Sequence, residues 1–347
     1  MSSGIATSVE QLHTPYPYHA GQRIPLRDSN GVEFLVDIVH EYPFTISPAV
    51  VVNLHKDGVV QEAVLKLYDR RFGELRKRRL PSGKKQPQPH TKESEAAFQD
   101  YARSGKLIPV FNRLKHVDLM YDLHREVIPP PDPEEEEKRP ERERLAEEEA
   151  TFYYNIQKRY TDEVRVYDKL KHLQGRGIPR FFTTVTLHMP SPPPDLEPSY
   201  FQVPGILIER LHGFNLSDLV TEMPEGPHEV WADIIQKAID LAVEINRAGV
   251  LDGDSQPRNA IVTRREDNTY EVRRIDFGEA DLESDLTYYR EHEPDLFKQT
   301  AMTAGNPDAL GGVMVSKVKR LTGVKLDVVY NEPFPESGGL PIPEGIY

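Results

Sequence analysis

Between His228 and Gly278 the chain carries a long amphipathic segment, a polar loop and two short alternating stretches. This succession leaves few folds open. In HEVWADIIQKAIDLAVEINRAG (residues 228–249), Trp231, Ile234, Ile235, Ala238, Ala242, Ile245 and Ala248 recur every three or four residues. They share one face of a helix, which must bury that face against something else. Gly249 is a stop signal for it. LDGDSQPRNAIV (251–262) passes from a polar loop into a strand, REDNT makes a turn, and YEVRRIDFGEA (270–280) alternates as a second strand. The hairpin is therefore flanked by carboxylates, Asp254 in the loop before it and Asp276 at its end.

The remainder supplies a sheet and a second long helix. VEFLVDIVHEYPFTI, SPAVVVNLHK and VVQEAVLKLYD read as three consecutive antiparallel strands between residues 32 and 69. IPRFFTTVTLHM and VPGILIERL add two more, separated by a proline-rich loop. SEAAFQDYARSG and NLSDLVTEM predict short helices, as do DLFKQTAMTAG and GGVMVSKVKRLTG near the end. Along residues 150–174, Phe152, Ile156, Tyr160, Tyr167 and Leu170 form a helical stripe, and Glu163 falls within it. A proline-led, acid-rich stretch (128–149) precedes that helix, its second half able to continue it as a charged helix. Residues 1–30 read as a disordered arm and 329–347 as a loose proline-rich tail. The charged, proline-rich segment at about 70–150 reads as an insertion in the first lobe.

Composition narrows the chemistry. With no cysteine, disulfides, thiolate zinc sites and a cysteine nucleophile are excluded. The 56 acidic and 43 basic residues leave a net charge of −13, which makes nucleic acid an unlikely partner. No apolar run has transmembrane length, and the N-terminal stretch lacks the basic start and apolar core of a signal peptide, so no membrane association is expected. The expected location is intracellular, cytoplasmic or nuclear. The basic run RRFGELRKRRLPSGKK (70–85) is open to two readings, a solvated loop or a nuclear-import or phosphate-contacting patch.

Phosphoryl transfer asks for an anchor on the phosphates, a holder for magnesium and a carboxylate facing the incoming hydroxyl. Lys66, in the strand AVLKLYD, is a candidate anchor, and a Lys66–Glu163 pair would hold its ammonium extended. Each alone has a plainer reading, an edge-strand lysine and a helix-edge carboxylate. Asp254 is placed to take a proton from a hydroxyl, and Asn259 offers an amide oxygen to a hard cation. The plainer alternative is turn chemistry from Asp-Gly and Pro-Arg-Asn. Asp276 ends a strand beside Gly278, a natural place for a metal ligand.

Taken in order, AVLKLYD, EVRVYDKLKHLQGRGIPRFF, GILIERLHGFNLSDL, GVLDGDSQPRNAIV and RRIDFGEA resemble the protein-kinase-like superfamily, in particular the divergent fungal kinase-like proteins of the aminoglycoside-phosphotransferase and protein-kinase type. The resemblance covers roughly residues 32–285. It implies an α+β, two-lobed protein-kinase-like fold with a small antiparallel-sheet N-lobe (31–208), a reduced, mainly helical C-lobe (209–328) and ATP between them. It implies that Lys66 and Glu163 pair, that Glu209, Arg210 and Leu211 join the lobes and meet adenine, and that Ile208 backs the adenine pocket. Asp254 would be the catalytic carboxylate, with Asn259 and Asp276 on Mg2+.

The chain departs from the family pattern in four places. No glycine-rich loop precedes Lys66, where HEYPFTISPAV stands instead. Asp252 replaces the usual histidine, and Gln256 replaces the usual cation. Arg258 is the candidate to supply that missing charge. No Ala-Pro-Glu-type motif follows Gly278, which brings the chain closer to small-molecule kinases. Two functions stay open: a Mg–ATP-dependent phosphotransferase with an unknown protein or small-molecule acceptor, and a pseudokinase serving as a nucleotide-binding or interaction scaffold.

Overall fold

The computed structural model describes residues 14–43, 46–56, 58–79, 85–124, 138–188, 192–286 and 295–334. It is a mixed structure of strands and helices, strand-rich toward the N-terminus and helical toward the C-terminus. The chain divides into two compact units. The first comprises Met1–Tyr160 and Phe182–Leu207, the second Thr161–Phe181 and Ile208–Tyr347.

The elements in chain order are β1 (Arg23–Asp28), β2 (Glu33–Glu41), β3 (Ala49–Lys56), β4 (Val59–Leu67), β5 (Lys77–Arg79), β6 (Lys85–Pro87), α1 (Lys92–Arg103), α2 (Leu107–His124), α3 (Glu141–Lys169), β7 (Phe181–His188), β8 (Gln202–Glu209), β9 (Phe214–Asn215), α4 (Leu219–Glu222), α5 (His228–Arg247), β10 (Val250–Asp252), β11 (Ala260–Arg264), β12 (Tyr270–Arg274), β13 (Ala280–Leu282), α6 (Leu296–Ala304) and α7 (Asn306–Thr322).

In the first unit, six strands close into a barrel of order β1-β2-β3-β4-β8-β7. Period-two alternation sends Ile24, Leu26, Val36, Ile38, Val50, Val52, Ala63, Leu65, Leu67, Val185, Val203 and Leu207 into one core. The expected disordered arm is corrected here. Residues 23–28 are β1, paired with β2 from Arg23↔Asp37 to Arg27↔Glu33 and with β7 through Arg27↔Thr186. The reason is that Ile24 and Leu26 point inward and their backbone closes the barrel, leaving no sheet edge at that position. Residues 1–13 lie outside the described residues.

The segment at 70–150 also differs from expectation, because much of it is packed structure. Thr91 caps α1, its Oγ1 accepting from the Ser94 amide at 3.1 Å while the Ser94 hydroxyl accepts from the Thr91 amide. Phe98, Tyr101, Leu107, Val110, Ala146 and Ala150 form a second core from α1, α2 and α3. Neither reading of the basic run describes Arg70 and Arg76, which are buried. Arg70 Nη1 donates to Glu149 (2.7 Å) and Nη2 to Glu95 (2.5 Å), while Arg76 Nη2 donates to the other Glu149 oxygen (2.6 Å). The Phe98 and Phe152 rings lie 4.2 and 4.4 Å from these two guanidinium carbons.

In the second unit, α5 buries its predicted stripe from Trp231 through Ile245, and Trp231, Ile234, Ile235 and Ala238 pack with Ala260, Val262, Val272 and Met314 and Val318 of α7. The sheet β12-β11-β9 and the ribbon β10-β13 stand beside it. Residues 161–181, expected in the first lobe, belong here because Val166, Tyr167, Leu170 and Leu173 are buried and Tyr167 packs on Phe181 and Phe277. The first part of the expected loose tail is pinned. Gln236 exchanges two bonds with the Val329 backbone, Arg247 donates to the Pro333 carbonyl at 2.8 Å, and Phe334 packs with Phe297, Leu251 and Ala301. Residues 335–347 lie outside the described residues.

Candidate active site

The site is assembled at the C-terminal end of α5. Gly249 (φ +82°) reverses the chain, which enters β10 and then the loop 253–259. Gly253 is the residue this approach requires, since a Cβ there would sit 2.2 Å from the Glu279 carbonyl oxygen, to which the Gly253 amide donates at 3.1 Å. The loop closes on itself when the Gln256 amide donates to the Asp254 carbonyl (2.7 Å) and the Asn259 amide to the Gln256 carbonyl (2.9 Å). The Ile275 amide then donates to the Asn259 carbonyl at 2.9 Å. That bond places Asn259 next to the strand end that carries Asp276.

Asp254 reaches the surface with its side chain 23% exposed. Asn259 Nδ2 donates to its carbonyl (3.0 Å) and to Oδ2 (2.9 Å). Both bonds use the nitrogen, so the amide oxygen is the end of Asn259 not engaged with Asp254. Arg258 Nη2 reaches both Asp254 oxygens, at 2.9 and 2.7 Å, from a side chain that is 59% exposed. Arg258, expected to supply the charge that Gln256 lacks, is here paired with Asp254.

Asp276 has φ +65°, in the left-handed region that a non-glycine residue rarely takes. Such strain is held only where surroundings enforce it. Here the following Phe277 is fully buried and meets Tyr167 edge-on, ring centres 5.8 Å apart at 90°. Burial raises the Tyr167 hydroxyl well above the usual phenol range, and Glu163, Asp276 and Glu209 add to it. Glu163 is fully buried, four residues before Tyr167 on α3.

Glu209 does structural work in addition. Its carboxylate accepts from the Arg180 amide (2.9 Å) and from Arg273 Nη1 (3.0 Å), and its amide donates to the Arg180 carbonyl (2.9 Å). Ile208 is buried, and Arg210 and Leu211 are half-buried. Lys66 belongs to the first unit, where it is buried on β4 with its ammonium 5.5 Å from the centre of the Tyr68 ring. Its registry partner on β3 is Ala49. The stretch preceding it, where a glycine loop was sought, includes residues 44 and 45, which lie outside the described residues.

Sequence reasoning missed Arg274 and Asn306. Arg274 is 1% exposed; Nη2 pairs with the Asp252 carboxylate and reaches the Asp254 carbonyl (3.3 Å), while Nη1 donates to the Gln256 carbonyl (2.9 Å). Asn306, first residue of α7, donates to the Asp252 carbonyl at 2.8 Å, and the Ser255 hydroxyl donates to the Asn306 carbonyl at 3.3 Å. One signal was available: in VRRID, alternation puts Arg274 on the same side as Val272, and a buried arginine requires carboxylate and carbonyl partners. Burial raises the Asp252 carboxyl above its ordinary value, with Arg274 pulling it partway back.

No family model matches the chain, and no curated protein matches it. Among solved structures it is similar to WaaP in complex with acyl carrier protein, at 13% identity over 47% of this chain and 70% of that one, with a TM-score of 0.28. A likeness at that score carries no weight for activity. Among the described residues, no helix is long and apolar enough to cross a membrane, and no group of three or more histidine, aspartate or glutamate side chains could hold a metal ion.

Proposed function

We propose that the chain is a Mg–ATP-dependent phosphotransferase that moves the γ-phosphate to a hydroxyl of a protein or small molecule. The observation that carries this is the loop itself: an accessible carboxylate, Asp254, fixed beside an asparagine whose carbonyl accepts from the amide of Ile275, the residue before Asp276. Asn259 Oδ1 and the Asp276 carboxylate are oxygen donors, and two protein oxygens suit Mg2+, which completes its shell with water and phosphate. Bound there, the ion would offset charge on the phosphates. Asp254 would orient the acceptor hydroxyl and take its proton. For that, Arg258 must release at least one Asp254 oxygen, and its fork would then be available to a phosphate. Lys66 paired with Glu163 would anchor the phosphates, and the backbone of Glu209 to Leu211 with Ile208 would receive adenine.

The Arg258–Asp254 pair, in which Nη2 spans both carboxylate oxygens, also favours the second reading, a nucleotide-binding or interaction scaffold, because it occupies the proposed base. Release of ADP from Mg–ATP, with and without candidate hydroxyl acceptors, separates the two. The phosphotransferase reading expects turnover in wild type and a drop of about 100-fold or more in Asp254→Asn. Nucleotide binding with equal, trace release in both proteins supports the scaffold.

A further inference from the structure

We infer that Arg274 is a positioning residue for the Asp254 loop, a brace that ties the base to the strand carrying Asp276. This rests on the phosphotransferase reading for its catalytic meaning, although the brace itself is a property of the loop. One guanidinium reaches three alternate residues of one loop: the Asp252 side chain, the Asp254 carbonyl and the Gln256 carbonyl. The Arg274 amide donates to the Gly177 carbonyl at 2.8 Å, which fixes the base of the side chain as well. Asn306 holds the same loop from α7 through the Asp252 carbonyl. The partly exposed Asp254 carboxylate is therefore carried on a segment held from behind on two sides.

A buried ion pair is a weak way to gain stability, since apolar side chains of similar volume often do as well or better. What apolar residues could not reproduce is the two bonds to backbone carbonyls on either side of Ser255. Lysine could not either, because a single ammonium cannot match the planar fork.

The test compares wild type with the apolar double variant Asp252→Leu/Arg274→Met and with Arg274→Lys. Hydrogen exchange is followed at the Gly253, Gln256, Asn259 and Ile275 amides, alongside the thermal midpoint and Mg–ATP turnover. The brace predicts at least 10-fold faster exchange at these loop amides in both variants, while the exchange of α5 amides and the midpoint of the double variant stay near wild type. It predicts kcat at least 10-fold lower, with KM for ATP within about twofold. If the double variant does not fold, Arg274→Lys judges the same amides. Wild-type loop protection in a folded variant overturns the brace. A wild type without response to Mg–ATP sinks the phosphotransferase reading instead, and the exchange result still decides the brace.

Discussion

Each unit buries arginine against carboxylate, and the two burials differ in what they leave at the surface. In the first unit Arg70 and Arg76 surround Glu149, with Glu95 and His90 closing the set, and all of these groups but the half-buried Glu95 are buried. Burial raises Glu149, but Arg70 and Arg76 outweigh it and hold its carboxyl below the usual glutamate range; Glu95 is lowered in the same way by Arg70 and His90. In the second unit one arginine serves a buried carboxylate and two carbonyls, and burial outweighs it, so Asp252 is raised. The loop it holds presents Asp254 and Arg258 to solvent. One network joins a barrel to its helical insertion. The other holds the loop that carries Asp254.

The contrast is sharpest in what each carboxylate does for folding. Glu149→Ala leaves two buried guanidinium groups short of a partner and should destabilise the first unit by about 3–5 kcal/mol, read by urea titration. A loss under about 1 kcal/mol would mean that the pairs are incidental. Asp252→Asn removes a charge that burial already disfavours and keeps an acceptor for Arg274, so its loss should be smaller, about 1 kcal/mol. If the two substitutions cost the same, the distinction between the networks fails.

Acid should separate the units as well. Glu149 and Glu95 have folded values below their ordinary 4.5, so their contribution is complete above that value and is lost as pH falls through and below it. Asp252 works in the opposite sense, because a raised carboxyl favours the folded state below its ordinary 3.8 and loses that contribution as pH rises. On acidification below about 4.5, amides of α1 should lose exchange protection before the fluorescence of Trp231, the chain's single tryptophan, changes. The reverse order would contradict the assignment. The smallest effect belongs to Arg258→Ala, where an exposed pair contributes about 0–1 kcal/mol and the midpoint should hardly move.

Much of the second unit was legible because its signals are local. The stripe of α5, the Gly249 stop and the hairpin turn all lie within a few residues of what they specify. Asp254 and Asn259 meet, and Ile275 bonds to Asn259, because loop and hairpin adjoin in sequence. The first unit was less legible because its constraints are distant. Arg70 meets Glu149 across 79 residues, and β1 meets β7 from the far side of the insertion, so a basic run read as solvated and a short strand read as an arm. The positive φ of Asp276 was not read from the sequence, although aspartate enters that region more readily than most non-glycine residues.

The decisive measurement is the thermal midpoint of wild type and Asp276→Asn with and without Mg–ATP. A ligand bound only by the folded state raises the midpoint by mass action, by about 2.7 kcal/mol of stability at 100 times its Kd. A magnesium-dependent rise in wild type, lost in Asp276→Asn, is the predicted result. No rise in wild type, or an equal rise in both proteins, would contradict a nucleotide–metal site at the end of this strand.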